Sequence, residues 1–268
     1  MEIKDYIKPG FSRMFRFENF FNNQEEICFL ENLYRSTEQQ TLYLEGKSGN
    51  GITHLLHAVC NTFTENGLPS QMISARWMKK FLKDYKNENS ENVLINELTS
   101  TKLLAIDNTQ EFYFRSKREL NFILNIIQQA EETGTFLLFG SSSTTASQFK
   151  KITATQRIKN IYIKSPDIDS VTELIHHFLE YENTLKKEAA QKIAYYNGTS
   201  QQYINCLIDL RYSKGKNSIG EETAFNTEIN TVLRKHFSGP QFRKCFLTEN
   251  NELISYKDFN RGKKIFTI

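Results

Sequence analysis

The sequence has few cysteines and no long apolar run, and these absences argue against a disulfide-rich, zinc-binding or membrane-spanning protein. The four cysteines among 268 residues lie far apart and form no CxxC pair, which argues against a zinc site and against a disulfide framework. We interpret all four as packing residues: Cys28, Cys60, Cys206 and Cys245. No stretch approaches the roughly 20 apolar residues of a membrane span, and Met1–Arg16 lacks the apolar run of a signal peptide. We therefore expect a globular, cytoplasmic protein with no membrane partner.

The chain also has little excess of charge of one sign, because its 34 Lys or Arg nearly balance its 31 Asp or Glu and the formal net charge is +3. Its distribution is uneven: Arg211–Ile268 holds eleven Lys or Arg against six Asp or Glu, a balance of +5. A balance of this size occurs on many solvated protein surfaces, and it is also typical of a segment that contacts nucleic acid. Both interpretations of this basic extension stay open.

Short apolar runs alternate with helical patterns over the first 166 residues. This alternation predicts a parallel sheet covered on both faces, and hence an α/β fold. The predicted strands are Thr41–Glu45, Lys102–Asp107, Thr135–Gly140 and Lys159–Lys164. The predicted helices between them are Thr53–Phe63, Ala75–Tyr85 and Lys117–Thr133.

After Pro166 the pattern is helical, which predicts a small helical lid. Its helices are expected at Asp169–Glu182, Lys186–Asn197 and Ser200–Tyr212. The remainder is expected to hold a helix and two short strands, at Asn226–His236, Glu252–Tyr256 and Lys263–Thr267. The predicted organisation is thus an N-terminal arm (1–15), an α/β nucleotide-binding subdomain (16–166), a lid (167–213) and a basic extension (214–268).

A phosphate-loop pattern, GxxxxGK[ST], follows the first predicted strand and departs from the pattern at one position. The candidate nucleotide-binding residues are Gly46, Lys47, Ser48, Gly49, Asn50, Gly51, Ile52 and Thr53. Glycines let backbone N–H groups face phosphates, and the helix that follows presents its positive end to an anion. Thr53 is placed to bind Mg²⁺. Ile52 occupies the lysine position, and the loss of one charge-assisted phosphate contact weakens binding by roughly ten- to a hundredfold.

A second acidic position supports the nucleotide-site hypothesis. Asp107 ends a buried strand, where a carboxylate coordinates Mg²⁺ in phosphate-loop proteins; a helix N-cap is the alternative role. Asn108 follows, where such enzymes usually carry the acid that polarises water, and an amide cannot act as a base. Lys47 is the nearby cation that would have to replace the missing lysine, although an exposed structural role is the simpler interpretation.

Several segments together resemble the DnaA/Hda family of AAA+ replication proteins. They are Phe17-Glu-Asn-Phe20, Leu42-Tyr-Leu-Glu-Gly46, Thr53-His-Leu-Leu-His-Ala58, Ile106-Asp-Asn-Thr-Gln110 and Arg118-Glu-Leu-Asn-Phe122. The resemblance covers about residues 15–210 and implies an AAA+ P-loop fold with a helical lid. The changes at Ile52 and Asn108 are closer to Hda, the short regulatory paralogue, and identify a degenerate member. ATP or ADP with Mg²⁺ is the implied cofactor, with binding that is weak or lost.

The resemblance also implies roles for three further residues. Ser141 matches the sensor 1 region at the end of a strand, and Arg157 falls near the arginine finger that reaches a neighbouring subunit's nucleotide. Gln201 stands at the sensor 2 arginine position, so that cation is absent. His54 and His57 lie three residues apart without an evident third ligand, so we interpret them as helix residues rather than a metal site.

Three hypotheses for function follow. The first is a DnaA/Hda-like regulatory or adaptor protein that docks on a related DnaA-like ATPase, or on itself, and offers Arg157 in trans. The second is an active ATPase such as a helicase loader, with Lys47 as the replacement cation. The third is a non-catalytic interaction protein whose basic extension contacts DNA. Met1–Phe15 has no sliding-clamp motif, and Arg211–Ile268 has too little helix for a helix-turn-helix module, so neither a clamp nor initiator-type duplex recognition is expected.

Overall fold

The chain divides into two compact units, Met1–Lys164 and Ser165–Ile268. A computed structural model describes residues 11–20, 22–85, 88–112, 117–142, 157–167, 170–171, 199, 201–206, 235–236, 245–247 and 253–255. The strands of the first unit are β1 (Thr41–Gly46), β2 (Ser70–Ser74), β3 (Leu103–Asp107), β4 (Phe136–Ser141) and β5 (Ile158–Ile163). Its helices are α1 (Gln24–Glu31), α2 (Ile52–Glu65), α3 (Ala75–Asp84), α4 (Glu88–Leu98) and α5 (Lys117–Thr133). Short 3₁₀ turns lie at Phe17–Asn19, Leu33–Arg35 and Thr109–Glu111.

The five strands form one parallel sheet in the order β2-β3-β4-β1-β5. Every residue of β1, β3 and β4 is buried, which is the expected state of central strands covered on both faces. Because all strands run the same way, their carboxyl ends share one edge, where ligands bind in sheets of this kind. The predicted α/β fold is confirmed, and so are the four predicted strands within a residue or two.

The two faces of the sheet carry separate apolar cores. One core lies under α3, α4 and α5, and the other lies under α1 and α2. On the first face, Arg118 of α5 joins three elements: its guanidinium pairs with Glu91 of α4 and donates to the carbonyls of Leu82 and Tyr85 at the end of α3. The carbonyls at a helix end have no partner inside the helix, so this arginine fixes how α3 ends.

Less of the second unit is described. Residues 201–206 are helical, in agreement with part of the predicted helix Ser200–Tyr212, and residues 235–236 are helical within the predicted Asn226–His236. Strands β6 (Cys245–Leu247) and β7 (Leu253–Ser255) pair antiparallel. β7 confirms the strand predicted at Glu252–Tyr256, whereas its partner β6 was not predicted. The predicted elements Lys186–Asn197 and Lys263–Thr267 and most of Asp169–Glu182 lie outside the described residues.

The cysteines differ in their surroundings. Cys60 and Cys206 are buried, but Cys28 on α1 is exposed, so the interpretation of Cys28 as a packing residue is wrong. Burial raises the pKa of the Cys60 thiol to about 12, which keeps it protonated and inert. Within the described residues, no helix is both long and apolar enough to cross a bilayer.

Candidate functional site

The phosphate-loop segment connects β1 to α2 at the carboxyl edge of the sheet. Gly49 and Gly51 have φ of 88° and 90°, a left-handed conformation that other residues adopt with strain. The buried Asn50 donates from its side-chain amide to the carbonyl of Ile163 (3.2 Å), which ties the loop to the end of β5. The loop therefore has the sharp backbone turns that let a helix N-terminus face an anion.

Ile52 is part of the apolar core rather than the rim of the loop. Ile52 is only 3% exposed and packs against Gly46 and Gly140. A Cβ built on Gly46 would lie 3.3 Å from Ile52 Cδ1, and a Cβ built on Gly140 would lie 3.0 Å from Ile52 Cγ2. The residue in the lysine position thus packs under the loop and supplies no charge to a phosphate above it.

Thr53 and Asp107 meet at the edge of the sheet. The Thr53 hydroxyl donates to Asp107 Oδ2 (2.9 Å), although the two residues are 54 positions apart. The backbone N–H of Asn108 donates to Asp107 Oδ1 (2.8 Å), and the Asn108 side-chain amide donates to Oδ2 (3.2 Å). The predicted magnesium ligands are thus in contact, and Asn108 takes the left-handed conformation with φ of 59°.

Burial raises the pKa of Asp107, while the hydrogen bonds from Thr53 and Asn108 act in the opposite direction. Asp107 is 6% exposed, so its charged form loses much of its hydration. A bound cation would compensate for that loss, which makes a buried carboxylate beside a hydroxyl a reasonable oxygen site for Mg²⁺.

A second amide extends this network to β4. Gln110 Nε2 donates to Asn108 Oδ1 (3.1 Å) and to Ser142 Oγ (2.9 Å), and the Ser142 N–H donates back to Gln110 Oε1 (3.2 Å). Ser141, the sensor 1 candidate, is buried at the end of β4, and the neighbouring Ser142 makes the contact. Neither Gln110 nor Ser142 was predicted, since no local pattern reveals a pairing across 32 positions.

The N-terminal segment binds along α2 through two histidines and an asparagine. His57 Nδ1 accepts from the Ser12 N–H (3.0 Å), so that nitrogen carries no proton. His54 Nε2 lies 2.8 Å from the Arg16 carbonyl, which only accepts, so that nitrogen is protonated. Burial lowers the pKa of both rings, and His54 further lowers that of His57. Both histidines are on α2 as predicted, and no cluster of three metal-ligating side chains occurs among the described residues.

The structure separates Arg157 from the phosphate loop. Arg157 is exposed and immediately precedes β5, whose first residue pairs with Thr41 at the amino end of β1. Gly46 is at the other end of β1, roughly 16 Å away at the usual rise per strand residue. An arginine side chain does not span that distance, so Arg157 does not reach its own loop.

Gln201 belongs to the second unit. It is exposed and donates to Asn205 Oδ1 (2.9 Å) one helical turn further on. This contact is an ordinary pairing on a helix surface.

The site has the turned backbone of a phosphate-binding loop, with uncharged side chains at positions 52 and 108. The turned loop, Thr53 and Asp107 fit a phosphate with Mg²⁺, whereas Ile52 and Asn108 offer neither a cation nor a base. Such an arrangement suits binding through dipoles and a metal ion better than it suits hydrolysis.

Comparison with known proteins agrees with this geometry. The family profile of the bacterial DnaA ATPase domain matches residues 12–162, more than half of the chain. The chromosomal replication initiator protein DnaA of Buchnera aphidicola subsp. Cinara cedri (strain Cc) is 27% identical over 125 residues, which are 44% of this chain. The match spans 28% of that relative's length.

Solved structures share the fold at low identity. Domain III of the Thermotoga maritima initiator DnaA superposes with a TM-score of 0.70 at 16% identity, covering 85% of this chain and 99% of that one. A replication initiator DnaA bound to AMPPCP and single-stranded DNA gives a TM-score of 0.55 at 13% identity, covering 84% of each chain. The sheet order, the phosphate-loop segment and the family match lead to one conclusion: the chain has an AAA+ fold and belongs to the bacterial DnaA ATPase domain family.

Proposed function

We propose that this chain is a DnaA/Hda-like regulatory or adaptor protein of DNA replication initiation, which docks on a related ATPase and hydrolyses little or no ATP itself. One observation carries the proposal, an asymmetry between the two ends of the sheet. At the carboxyl end the catalytic charges are replaced by Ile52 and Asn108, and at the amino end Arg157 is exposed.

The losses at the nucleotide site support weak hydrolysis. Without a base at Asn108 the attacking water is not activated, and without a cation at Ile52 the charge that develops on the γ-phosphate is not balanced. Bound ATP or ADP would lie on residues 46–53, with Mg²⁺ held by Thr53 and Asp107. In such a complex the chain's own contribution is to bind and orient the phosphates.

The position of Arg157 supports an action on a neighbour. A finger acts on a nucleotide held by another subunit, so its own loop does not need to be intact. An exposed arginine at the end of the sheet opposite the phosphate loop has this geometry. The partner is then a DnaA-like ATPase that retains its own lysine and acid.

The test measures ATP hydrolysis by three samples: this chain alone, the DnaA protein of the same organism alone, and the two mixed. We expect background turnover from this chain and a higher rate in the mixture, with a complex visible by size-exclusion chromatography. Turnover of about one per second by this chain alone, lost in Asp107→Ala, would instead support an active ATPase that uses Lys47. Absence of a complex would contradict the adaptor proposal.

A second candidate function, contact with single-stranded nucleic acid, is favoured by α3. The aromatic residues Trp77, Phe81 and Tyr85 stack on one another and pack against the apolar core, so the face of α3 that is open to a ligand is the polar one. The same helix carries four basic residues: Arg76, Lys79, Lys80 and Lys83. Basic residues clustered along one helix are typical of surfaces that contact the phosphates of a nucleic acid. Binding to an oligonucleotide that is unchanged in a Lys80→Ala/Lys83→Ala variant would exclude this surface.

A further inference from the structure

The segment Ser12–Phe20, which we call the strap, is fastened to α2 by side chains that bind its backbone. The Asn61 amide donates to the carbonyls of Ser12 (2.9 Å) and Phe15 (2.8 Å). His57 and His54 bind the strap as described above. These four contacts span five consecutive residues of the strap, so they fix its path along about two turns of the helix, from His54 to Asn61.

Aromatic packing continues the strap towards the phosphate loop. The Phe15 ring lies 5.0 and 5.1 Å from the rings of His54 and His57, and the Phe20 ring lies 5.4 Å from that of His54. Phe20 also covers Gly51, because a Cβ added to Gly51 would overlap the Phe20 ring. Phe20 is 8% exposed, so it packs closely on the last glycine of the loop.

Gly51 is the residue of the loop that the strap contacts, through Phe20. It has φ of 90° and directly precedes α2, so its backbone sets the direction of the helix N-terminus. A ring packed on a glycine restricts a backbone that is otherwise unusually free.

We propose that the strap holds the phosphate loop in its present geometry, so that displacing the strap loosens the loop. Displacement of the strap then changes the backbone on which the phosphates of a nucleotide would lie. This inference goes beyond the proposed function, because it applies whether or not the chain docks on an ATPase.

The test is amide hydrogen exchange of the full chain, read over three segments: the strap, the loop (46–53) and β4. In Asn61→Ala, which removes two hydrogen bonds to the strap, we expect exchange of strap and loop to accelerate by about tenfold or more while β4 is unchanged. Asn66→Ala is the matched control, because the Asn66 side chain donates within its own helix, to the Thr62 carbonyl.

Phe15→Ala provides a second variant that does not open the core, because Phe15 is 38% exposed. It should accelerate the same two segments. Faster exchange of the strap with an unchanged loop in both variants would overturn the proposal, since the strap would then be passive. Unchanged exchange of the strap in both variants would overturn it as well, because these contacts would not be holding the strap.

Discussion

The two ends of the sheet use polar residues in opposite ways. At the carboxyl end, Thr53, Asp107, Asn108 and Gln110 hydrogen-bond to one another, and only Asp107 carries a charge. At the amino end, Arg157 is exposed to solvent. The comparison teaches that the loop geometry and the charges needed for hydrolysis are separate requirements, because the first is present here and the positions of the second hold Ile52 and Asn108. Under the proposed function, the exposed charge at the amino end acts on a neighbouring subunit.

The largest effect is expected from a substitution at the amino end of the sheet. Arg157→Ala should abolish stimulation of a DnaA-like partner, a loss of roughly 10³–10⁵ in rate if the arginine acts as a finger. The complex should persist in size-exclusion chromatography, because a finger acts mainly in the transition state. Lys102→Ala is the control from the same end of the sheet, since Lys102 donates to the Gly134 carbonyl (3.0 Å). Stimulation that survives Arg157→Ala would reject the finger assignment.

The next largest effect is expected from a substitution at the carboxyl end of the sheet, in the phosphate loop. Ile52→Lys should tighten ATP or ADP binding by roughly ten- to a hundredfold, measured by calorimetry, because a lysine there restores one charge-assisted phosphate contact. The lysine stem can replace the buried isoleucine while its ammonium extends to the loop. Ile52→Met, which is uncharged, should bring no gain. Equal affinities in the two variants would mean that the loop is closed to nucleotide for another reason.

Much of the fold could be predicted from the sequence, for a physical reason. β1, β3 and β4 are short, mainly apolar runs buried on both faces, and α5 has a clear helical period, so local pattern and tertiary structure agree. The elements that were missed have weaker patterns. β2 (SQMIS) is a partly exposed edge strand with polar ends, and α4 (ENSENVLINEL) is mostly polar.

The candidate site divides in a similar way. The loop and Asp107 were predicted because their spacing is a local motif, and the structure brings Thr53 and Asp107 together. The Gln110–Ser142 pairing and the strap on α2 could not be predicted, because these contacts join residues 32 to 49 positions apart. Ile52 shows an intermediate case: the sequence revealed the lost charge, and only the fold revealed that its side chain belongs to the core.

A smaller effect tests whether the strap is held by neutral histidines. The pKa of His54 and of His57 is lowered from 6.5 in the folded chain, so the unfolded chain takes up protons first as the pH falls. Stability from this source is complete above pH 6.5 and declines below it, by at most about 1.4 kcal/mol per pH unit for each ring. Denaturant unfolding on both sides of this pH, at constant salt, measures the decline.

A double variant provides the control for the histidines. Glutamine at position 54 keeps a donor for the Arg16 carbonyl, and asparagine at position 57 keeps an acceptor for the Ser12 N–H, yet neither residue titrates. His54→Gln/His57→Asn should therefore flatten the decline below pH 6.5. An unchanged decline would place its origin in other groups.

The smallest expected effect concerns the charge of Asp107 at the carboxyl end of the sheet. Burial raises the pKa of Asp107 above 3.8, so the folded chain holds this proton more tightly than the unfolded chain does. The charged carboxylate therefore lowers the stability of the fold above the raised pKa, and this destabilisation disappears as the pH falls towards 3.8.

Asp107→Asn should remove that pH dependence. It should change the free energy of unfolding at neutral pH by no more than about 1 kcal/mol, because hydrogen bonds from Thr53 and Asn108 already offset part of the cost of burying the carboxylate. Asp84→Asn, an exposed acid at the end of α3, is the control that should leave the dependence in place. If Asp107→Asn instead destabilises the chain by several kcal/mol at every pH, the Asp107 carboxylate is required for folding. Its contact with Thr53 would then be explained by a structural role and would not indicate a metal site.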